Sequence, residues 1–293
     1  MKAAPFQYLR PASVRQACEM LAADDGARLI SGGQTLVPMM AMRLSRPTTL
    51  IDIARLPDLA GISDDGDTVT IGAVTRQLDI EQSPVVADKV PLLAAALPFV
   101  GHLATRSRGT IGGSIANADP AAEIPLVAAV LDAGICVAGP DGEEWYEAAD
   151  FFIGPMLTAL PEQGCITLVR FPVWSSGRVG VSFQEISARK SDFAIVSAAA
   201  QTAFDDSGRC TAAALGVGGV ADRPEVLDIG GLVGTTPGDA ELEDAAVNAV
   251  AGLEPEGDLH ASADYRRRVA GALASRALKE AARSAREDGD SRS

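Results

Sequence analysis

The segment that decides the fold reads Arg108-Gly109-Thr110-Ile111-Gly112-Gly113-Ser114-Ile115-Ala116-Asn117-Ala118-Asp119-Pro120-Ala121-Ala122-Glu123. Its two adjacent glycines allow the backbone to direct N–H groups toward a ligand, because no Cβ blocks the approach. Asp119 is predicted to cap a helix whose first residue is Pro120, since these residue types are favoured at those positions. A phosphate-rich ligand could lie on the glycines, with Glu123 in the first turns of the helix, free to receive a hydroxyl or a ring N–H.

A second stretch of the same kind occurs earlier, as Ser31-Gly32-Gly33-Gln34-Thr35-Leu36. It follows a short buried strand predicted for residues 27–30, and Thr35 or Leu36 opens a helix in which Pro38 falls within the first turn. A strand, a glycine turn and a helix start form a phosphate-binding arrangement, because free N–H groups and the positive helix end face the turn. One Gly-Gly turn alone is ordinary, so the prediction depends on the two stretches together.

The common nucleotide-binding motifs are absent from the chain. No GxGxxG pattern follows the strand, and GxxxxGK[ST] does not occur, so neither a Rossmann fold nor a P-loop is predicted. A catalytic group for acid–base or nucleophilic chemistry is not evident either, since there is no GxSxG motif and no Cys/His pairing. We therefore predict no catalytic residues in this chain, and a bound redox cofactor would supply the chemistry.

Composition excludes several classes of partner. The net charge of −14 repels DNA, RNA and anionic lipid, so no nucleic acid is expected as a partner. The longest apolar run covers residues 92–100, too short for a membrane span, and the N-terminus has no signal-peptide pattern. We therefore expect no membrane insertion and a cytoplasmic location. With 47% hydrophobic and 4% aromatic residues, the core should consist of Ala, Val, Leu and Ile.

Metal binding is not expected in this chain. The four cysteines are widely separated, with no CxxC pair, and the sequence holds two histidines. Structural zinc and iron–sulfur sites need closer ligand spacing than this. Buried, reduced thiols are the interpretation that we favour.

The order of predicted elements indicates an α+β protein. Strand, helix and strand are predicted over residues 6–31, with Ser13 as the cap of the first helix, and short strands follow over residues 46–80. Residues 92–100 are predicted as one Ala/Leu-rich helix. The composition of the sequence changes near residues 174–178, which indicates a domain boundary. Three antiparallel strands are predicted after this boundary. Two helices, at 237–251 and 264–282, complete the order, and the tail from 284 to 293 is predicted to be disordered.

The two motifs resemble those of the FAD-binding medium subunit of the molybdenum hydroxylases. An Ala/Ser-Gly-Gly-Gln-Ser/Thr-Leu pattern of that family matches residues 31–36. Its Thr-Ile-Gly-Gly-Asn/Ser pattern, followed by Asp-Pro-Ala-x-Asp/Glu, matches residues 110–123. Two positions differ from the more frequent family residues: Ser114 stands where Asn is common, and Glu123 where Asp is common. The resemblance covers nearly the whole chain.

The resemblance implies a two-part PCMH-type FAD-binding domain at residues 1–176, whose subdomains divide near residue 57. A C-terminal α+β domain with a three-stranded antiparallel sheet packed on helices would follow at 177–283. The FAD pyrophosphate would lie between the two glycine stretches, mostly on backbone N–H groups, and Glu123 would approach the ribityl or adenosine part. The implied FAD-binding residues are Leu29, Ser31, Gly32, Gly33, Gln34, Thr35, Leu36, Gly101, His102, Gly109, Thr110, Gly112, Gly113, Ser114, Asn117, Ala118, Asp119, Glu123, Ile166, Lys190 and Asp192.

The roles of two of these residues stay open. His102 follows Gly101 after a predicted helix, and it could serve only as a cap or contact the flavin. Lys190 could be a solvated strand charge, or it could approach the isoalloxazine ring together with Asp192. In the triple-arginine run at residues 266–268, a solvated helix face is expected rather than a contact with partner subunits.

The function implied by the resemblance is electron transfer within a heterotrimer. A large subunit would oxidise the substrate at a molybdopterin-type molybdenum cofactor, and two 2Fe-2S clusters in a small subunit would pass electrons to FAD in this chain. The final acceptor would be NAD⁺, oxygen or a quinone-linked carrier, and a dimer of heterotrimers is possible. Two alternatives are a self-contained flavin oxidoreductase with its own small-molecule substrate and a flavin-binding regulator without turnover.

Overall fold

The first part of the chain forms a small parallel sheet. The computed structural model describes residues 2–290, and its first five elements are β1 (Gln7–Leu9), α1 (Val14–Ala22), β2 (Arg28–Ile30), α2 (Leu36–Ala41) and β3 (Thr49–Asp52). The strands are ordered β1-β3-β2, with β3 parallel to both neighbours. The Ser13 hydroxyl accepts the Gln16 N–H at 3.2 Å and so caps α1 as predicted. The carboxyl end of β2 delivers the chain directly to the first glycine stretch.

A five-stranded antiparallel sheet follows, in the order β4-β5-β10-β6-β7. Its strands are β4 (Ile62–Asp64), β5 (Thr68–Gly72), β6 (Gly134–Gly139), β7 (Gly142–Glu147) and β10 (Cys165–Pro172). A hairpin of β8 (Phe152–Gly154) and β9 (Leu157–Thr158) lies between β7 and β10 in the chain. A short 3₁₀ turn at Pro57–Leu59 separates this sheet from the parallel one, close to the subdomain division that we predict near residue 57.

Seven short helices accompany this sheet in the described part of the chain. They are α3 (Gln77–Glu81), α4 (Pro84–Lys89), α5 (Pro91–Ala96), α6 (Leu103–Arg106), α7 (Ile111–Asn117), α8 (Glu123–Val130) and α9 (Ala148–Phe151). The single helix predicted over residues 92–100 was wrong: α5 ends at Ala96, and a 3₁₀ turn covers Leu97–Phe99. Pro98 has no N–H to continue the α-helical bonds, so the chain tightens there and then turns.

The C-terminal part is a second antiparallel sheet backed by two helices. Its elements are β11 (Arg178–Ser187), β12 (Ala194–Phe204), β13 (Cys210–Gly218), β14 (Glu225–Val226), α10 (Asp239–Ala251) and α11 (Ala263–Asp290). The predicted meander of three strands is confirmed by β11, β12 and β13. A fourth strand, β14, was not predicted; it adds two residues at the edge of β13. A two-residue strand carries no alternating pattern that could reveal it.

The predicted disordered tail was wrong for residues 284–290, because α11 continues through Asp290. Ala281, Ala282 and Ala285 are fully buried on its inner face. Gly180 of β11 permits this contact, since a Cβ there would come within 2.3 Å of the Ala285 backbone nitrogen. The apolar stripe of α11 thus extends through Ala285, beyond the residue at which we predict the helix to end. The rest of the predicted tail, residues 291–293, lies outside the described residues.

The two parts of the chain share a core. One face of the C-terminal sheet, including Phe183 and Ala199, belongs to the same buried cluster as Ile115 of α7 and Leu126 of α8. The opposite face packs on α10 and α11. The core is aliphatic, as the composition predicts, and burial of this apolar surface is the main stabilising contribution. Within the described residues, no helix is long and apolar enough to cross a membrane.

Candidate functional site

The two glycine stretches lie side by side. The Ser31 and Thr110 hydroxyls are 2.8 Å apart, within hydrogen-bond distance. A Cβ on Gly32 would lie 2.4 Å from the carbonyl oxygen of Arg108 and 2.8 Å from the Cα of Gly109. No side chain fits between backbones this close, so glycine at position 32 is what brings the parallel sheet against the start of α7.

The first stretch presents a row of free donors. Among the residues that the structure describes, no acceptor receives the backbone N–H groups of Gly32, Gly33, Gln34 or Thr35. Gly33 has a φ of +68°, which turns the chain into α2 at Leu36, the predicted start. Neighbouring N–H groups in such a turn, next to a helix start, attract an anion such as phosphate. Leu29 in β2, half-buried, leads into this turn.

The second stretch has a different role from the one that we predicted. The N–H groups expected to face a ligand already have acceptors: Gly112 donates to the Ala73 carbonyl at 2.9 Å, and Gly113 donates to the Thr110 hydroxyl at 3.1 Å. Thr110 is the N-cap of α7, whose first residue is Ile111. A Cβ on Gly112 would lie 2.6 Å from the Ala73 Cβ, so this glycine allows α7 to pack against the chain that leaves β5. The exposed Gly113 and the half-buried Ser114 remain at the surface of the turn.

The helix predicted to begin at Pro120 begins three residues later, at Glu123. Asn117 ends α7, and Ala118 takes the left-handed conformation with φ of +45°. The Asp119 carboxylate then accepts the Ala121 N–H at 2.9 Å, which forms a turn instead of a helix cap. Aspartate readily makes this local bond, and it competes with helix formation. The prediction of Asp119 as N-cap and Pro120 as first helical residue was therefore wrong.

Glu123 is buried at the start of α8, with 6% of its surface exposed. Burial raises the pKa of its carboxyl from 4.5 to about 7, and the charge of Asp119 adds to this, while Arg106 opposes it. A carboxyl with this pKa is partly protonated near neutral pH, so it can donate a hydrogen bond as well as accept one.

A second carboxyl, that of the half-buried Glu185 in β11, approaches Glu123 from the C-terminal sheet. Burial, and then the charge of Glu123, raise the pKa of Glu185 to about 8. Within the described chain its Oε2 has no hydrogen-bond partner, and the same holds for the hydroxyl of Ser197, the residue opposite it on β12. Glu185 was not among the predicted site residues, although its spacing of two from Phe183 places it on the inner face of the strand.

A cleft of about 1030 Å³ lies where the Asp119 turn meets the C-terminal sheet. Asp119, Pro120 and Ala121 line it, together with Asp192 and Phe193. The structure thus brings two of the predicted residues, Asp119 and Asp192, to the same cleft. Further lining comes from the loop after α10 and from the start of α11, including Asp258, His260 and Arg266.

The remaining predicted residues lie elsewhere. Gly101 has a φ of +51° at the turn before α6, and His102 occupies the N-cap position of α6. His102 is exposed, and its side chain makes no capping bond to any described residue. Ile166 is buried in β10, and Lys190 is exposed in the turn between β11 and β12 rather than in a strand. The Gly109 carbonyl accepts the Gln77 N–H at 2.9 Å.

No cluster of three or more His, Cys, Asp or Glu side chains suited to a metal ion is present in the part of the chain that the structure describes. The cysteines Cys18, Cys136, Cys165 and Cys210 are all buried and free. Burial raises the pKa of each thiol, to about 12 for Cys165, where the neighbouring Cys18 adds to the shift.

Comparison with known proteins identifies the family. Residues 4–174 match the family described as FAD binding domain in molybdopterin dehydrogenase, and residues 181–281 match the CO dehydrogenase flavoprotein C-terminal domain. The chain belongs to the FAD-binding medium subunits of the molybdenum hydroxylases. This confirms the family, the fold class and FAD as the cofactor, all of which the two glycine motifs predict. The domain boundary that we predict after residue 176 lies between the two matched ranges.

Several relatives are similar over their full length. The chain is 37% identical to the 6-hydroxypseudooxynicotine dehydrogenase complex subunit alpha of Paenarthrobacter nicotinovorans, covering 98% of this chain and 97% of that protein. It is 35% identical to the carbon monoxide dehydrogenase medium chain of Hydrogenophaga pseudoflava, covering 94% and 96%. The crystal structure of quinoline 2-oxidoreductase from Pseudomonas putida 86 matches with a TM-score of 0.92 and 36% identity, over 97% and 99% of the two chains. The chain is accordingly a subunit of an oxidoreductase.

The residues fit an FAD group. The free N–H groups of the first glycine stretch suit a pyrophosphate, and Gly32 allows this stretch to lie against the backbone of Arg108 and Gly109. Glu123 receives no hydrogen bond from another described residue and is available to a hydroxyl or a ring N–H.

Proposed function

We propose that this chain carries FAD as the electron-transfer subunit of a heterotrimeric molybdenum hydroxylase. Electrons would arrive from two 2Fe-2S clusters of a small subunit, after a large subunit has oxidised the substrate at a molybdopterin-type cofactor. Bound FAD would supply a redox centre that passes these electrons to an external acceptor. The observation that supports this most directly is the contact between the two glycine stretches, the first of which has free N–H groups, in a chain of this family.

The predicted site residues would have different roles in binding FAD. The turn from Gly32 to Thr35 would hold the pyrophosphate on its N–H groups, and Thr110 would hold that turn in place through Ser31. Glu123 would take a hydroxyl or a ring N–H of the cofactor. Asp119 and Asp192, which line the same cleft, would border the flavin ring.

The first test is FAD content. The full chain, purified alone and denatured, should release about one FAD per polypeptide, or should take up FAD in a fluorescence titration. A Gly32→Ala variant should lose most of this FAD, because the new Cβ meets backbone at 2.4 Å. A Gly271→Ala variant, whose Cβ meets nothing within 4 Å, is the matched control. A wild-type chain that takes up no FAD would refute the proposal.

The second test addresses electron transfer. Coexpression with a large molybdopterin protein and a small iron–sulfur protein from the same gene cluster should give a complex that contains all three chains. Removal of FAD from that complex should leave the iron–sulfur clusters reducible and should block their reoxidation by NAD⁺ or oxygen. A chain that is reduced by its own organic substrate without these partners would instead be a self-contained flavin oxidoreductase.

A further inference from the structure

The first arginine of the triple run is buried, contrary to the solvated helix face that we expected. Arg266 lies in the first turn of α11 with 8% of its surface exposed. Its guanidinium donates to the Ile195 carbonyl at 2.5 Å, to the Gly219 carbonyl at 2.6 Å and to the Asp258 carboxylate at 2.7 Å. A planar guanidinium can satisfy acceptors in several directions at once, whereas an ammonium acts as a point charge.

Gly219 connects this arginine to the second glycine motif. Its N–H donates to the Pro120 carbonyl at 2.9 Å, while its own carbonyl accepts from Arg266. It has a φ of +74°, and a Cβ there would lie 2.6 Å from the Ile195 carbonyl oxygen. Gly219, in a conformation that favours glycine, is therefore hydrogen-bonded both to Arg266 of α11 and to the Asp119-Pro120 turn, and it links the two.

All of these groups border the same cleft. Pro120, Ile195, Gly219, Asp258 and Arg266 line it. Asp258 also accepts the N–H groups of His260 and Ala261, at 2.8 and 2.9 Å, so the same network holds the loop before α11. The network thus connects the Asp119-Pro120 turn, the start of β12 and the loop before α11 around one cleft.

We propose that Arg266 is a positioning residue of the FAD site, which holds the Asp119-Pro120 turn at a fixed distance from Asp192 through Gly219. This inference rests on the proposed function, because it assigns the cleft to the flavin. Arg266 itself makes its bonds to protein groups. Its effect on the cofactor would come from the placement of the turn and of the loop before α11.

The experiment compares FAD binding in the full-length chain and in three variants. Arg266→Met should raise the dissociation constant for FAD about tenfold, which corresponds to a loss of about 1.4 kcal/mol in the free energy of binding. It should also change the visible circular dichroism of the bound flavin, because the cleft wall moves. Arg266→Lys should give an intermediate change, since the three donors of an ammonium leave one nitrogen, whereas the guanidinium reaches these acceptors from two nitrogens. Arg268→Met is the control, because Arg268 is exposed and its guanidinium lies over the Tyr265 ring of the same helix.

A merely structural role predicts a different result. In that case Arg266→Met would lower the melting temperature, while its folded fraction would bind FAD with the wild-type dissociation constant and dichroism. That result would overturn the inference. If Arg266→Met does not fold, Arg266→Lys and a fourth variant, Asp258→Asn, replace it in the test. Wild-type FAD affinity and wild-type dichroism in both of these variants would also overturn the inference. If the wild-type chain itself does not bind FAD, the proposed function is refuted, and the inference with it. The wild-type measurement alone shows this outcome, so it is distinct from a failure of the inference.

Discussion

The Ser31 and Thr110 hydroxyls lie 2.8 Å apart, although 79 positions separate them in the chain. This contact joins the turn after a parallel strand to the cap of α7. The Thr110 hydroxyl also accepts the Gly113 N–H at 3.1 Å, so one buried side chain both starts the helix and holds the neighbouring turn. The free N–H groups of the first glycine stretch thereby have a fixed position relative to the second.

Removing these hydroxyls should destabilise the FAD-free chain cooperatively. Thr110→Val loses a helix cap as well as the contact with Ser31, and it should lower the free energy of unfolding by about 1–2 kcal/mol. Ser31→Ala should cost less. In urea denaturation, the double variant should deviate from the sum of the single ones by about 0.5–1 kcal/mol. Purely additive values would mean that the two hydroxyls do not interact.

Two glycine substitutions should act in opposite directions. Gly32→Ala places a Cβ 2.4 Å from the Arg108 carbonyl oxygen, so backbone must move, and we expect a loss of about 2 kcal/mol or more in the free energy of unfolding. Gly271→Ala lies inside α11 with open space around it, and alanine there should stabilise the chain by about 0.5–1 kcal/mol. Thermal denaturation of the FAD-free proteins measures both, and a neutral Gly32→Ala would contradict the close contact.

Stability should fall as pH rises, because of Glu123. Its pKa is raised from 4.5 to about 7 in the folded chain, so the folded state holds a proton that the unfolded state has already lost. The stabilising effect of that proton is complete below about pH 4.5 and is lost as pH rises through about 7. Glu123→Gln removes the titration, so its stability relative to wild type should increase by on the order of 2–3 kcal/mol between pH 5 and pH 8.

The control for this titration is Glu162→Gln, since Glu162 is exposed. Its stability should follow that of the wild-type chain across the same pH range. Urea denaturation at several pH values measures all three proteins without FAD. Parallel pH profiles for wild type and Glu123→Gln would show that the Glu123 carboxyl is not buried as described.

The four thiols should be inert in the folded chain. All are buried, and burial raises the pKa of each, so very little thiolate is present to react. A colorimetric disulfide reagent at pH 8 should modify none of them within minutes, and it should modify all four after denaturation. Rapid modification of any one thiol in the native protein would contradict its placement.

Much of the fold was predictable, because it depends on local patterns. The three long C-terminal strands alternate or run apolar between clear turns, and the Ser13 cap precedes an amphipathic helix. The errors have local causes that compete with those patterns. Pro98 tightens a helix that composition favours, the Asp119 side chain forms a turn where a cap was expected, and the apolar spacing of α11 continues past residue 283 among charged residues.

The candidate site, like the fold, was predictable from the sequence only in part. The two glycine motifs identify the family and the cofactor, because their glycines are required by backbone contacts that few other residues permit. Glu185 and Arg266 could not be singled out, since a charged residue in a strand or a helix is normally solvated. Spacing alone offered a signal: Glu185 stands two residues from Phe183, and Arg266 stands three before Val269, on faces that are otherwise apolar.

The sharing of one core by both parts of the chain has a consequence for biosynthesis. The first 176 residues leave the ribosome before β11 and β12 have emerged and paired, so the cluster that includes Ile115 and Leu126 stays uncovered until Phe183 and Ala199 arrive. The boundary between the two matched families therefore does not separate two folding units. A nascent FAD-binding half must wait for its C-terminal sheet before its interior is closed.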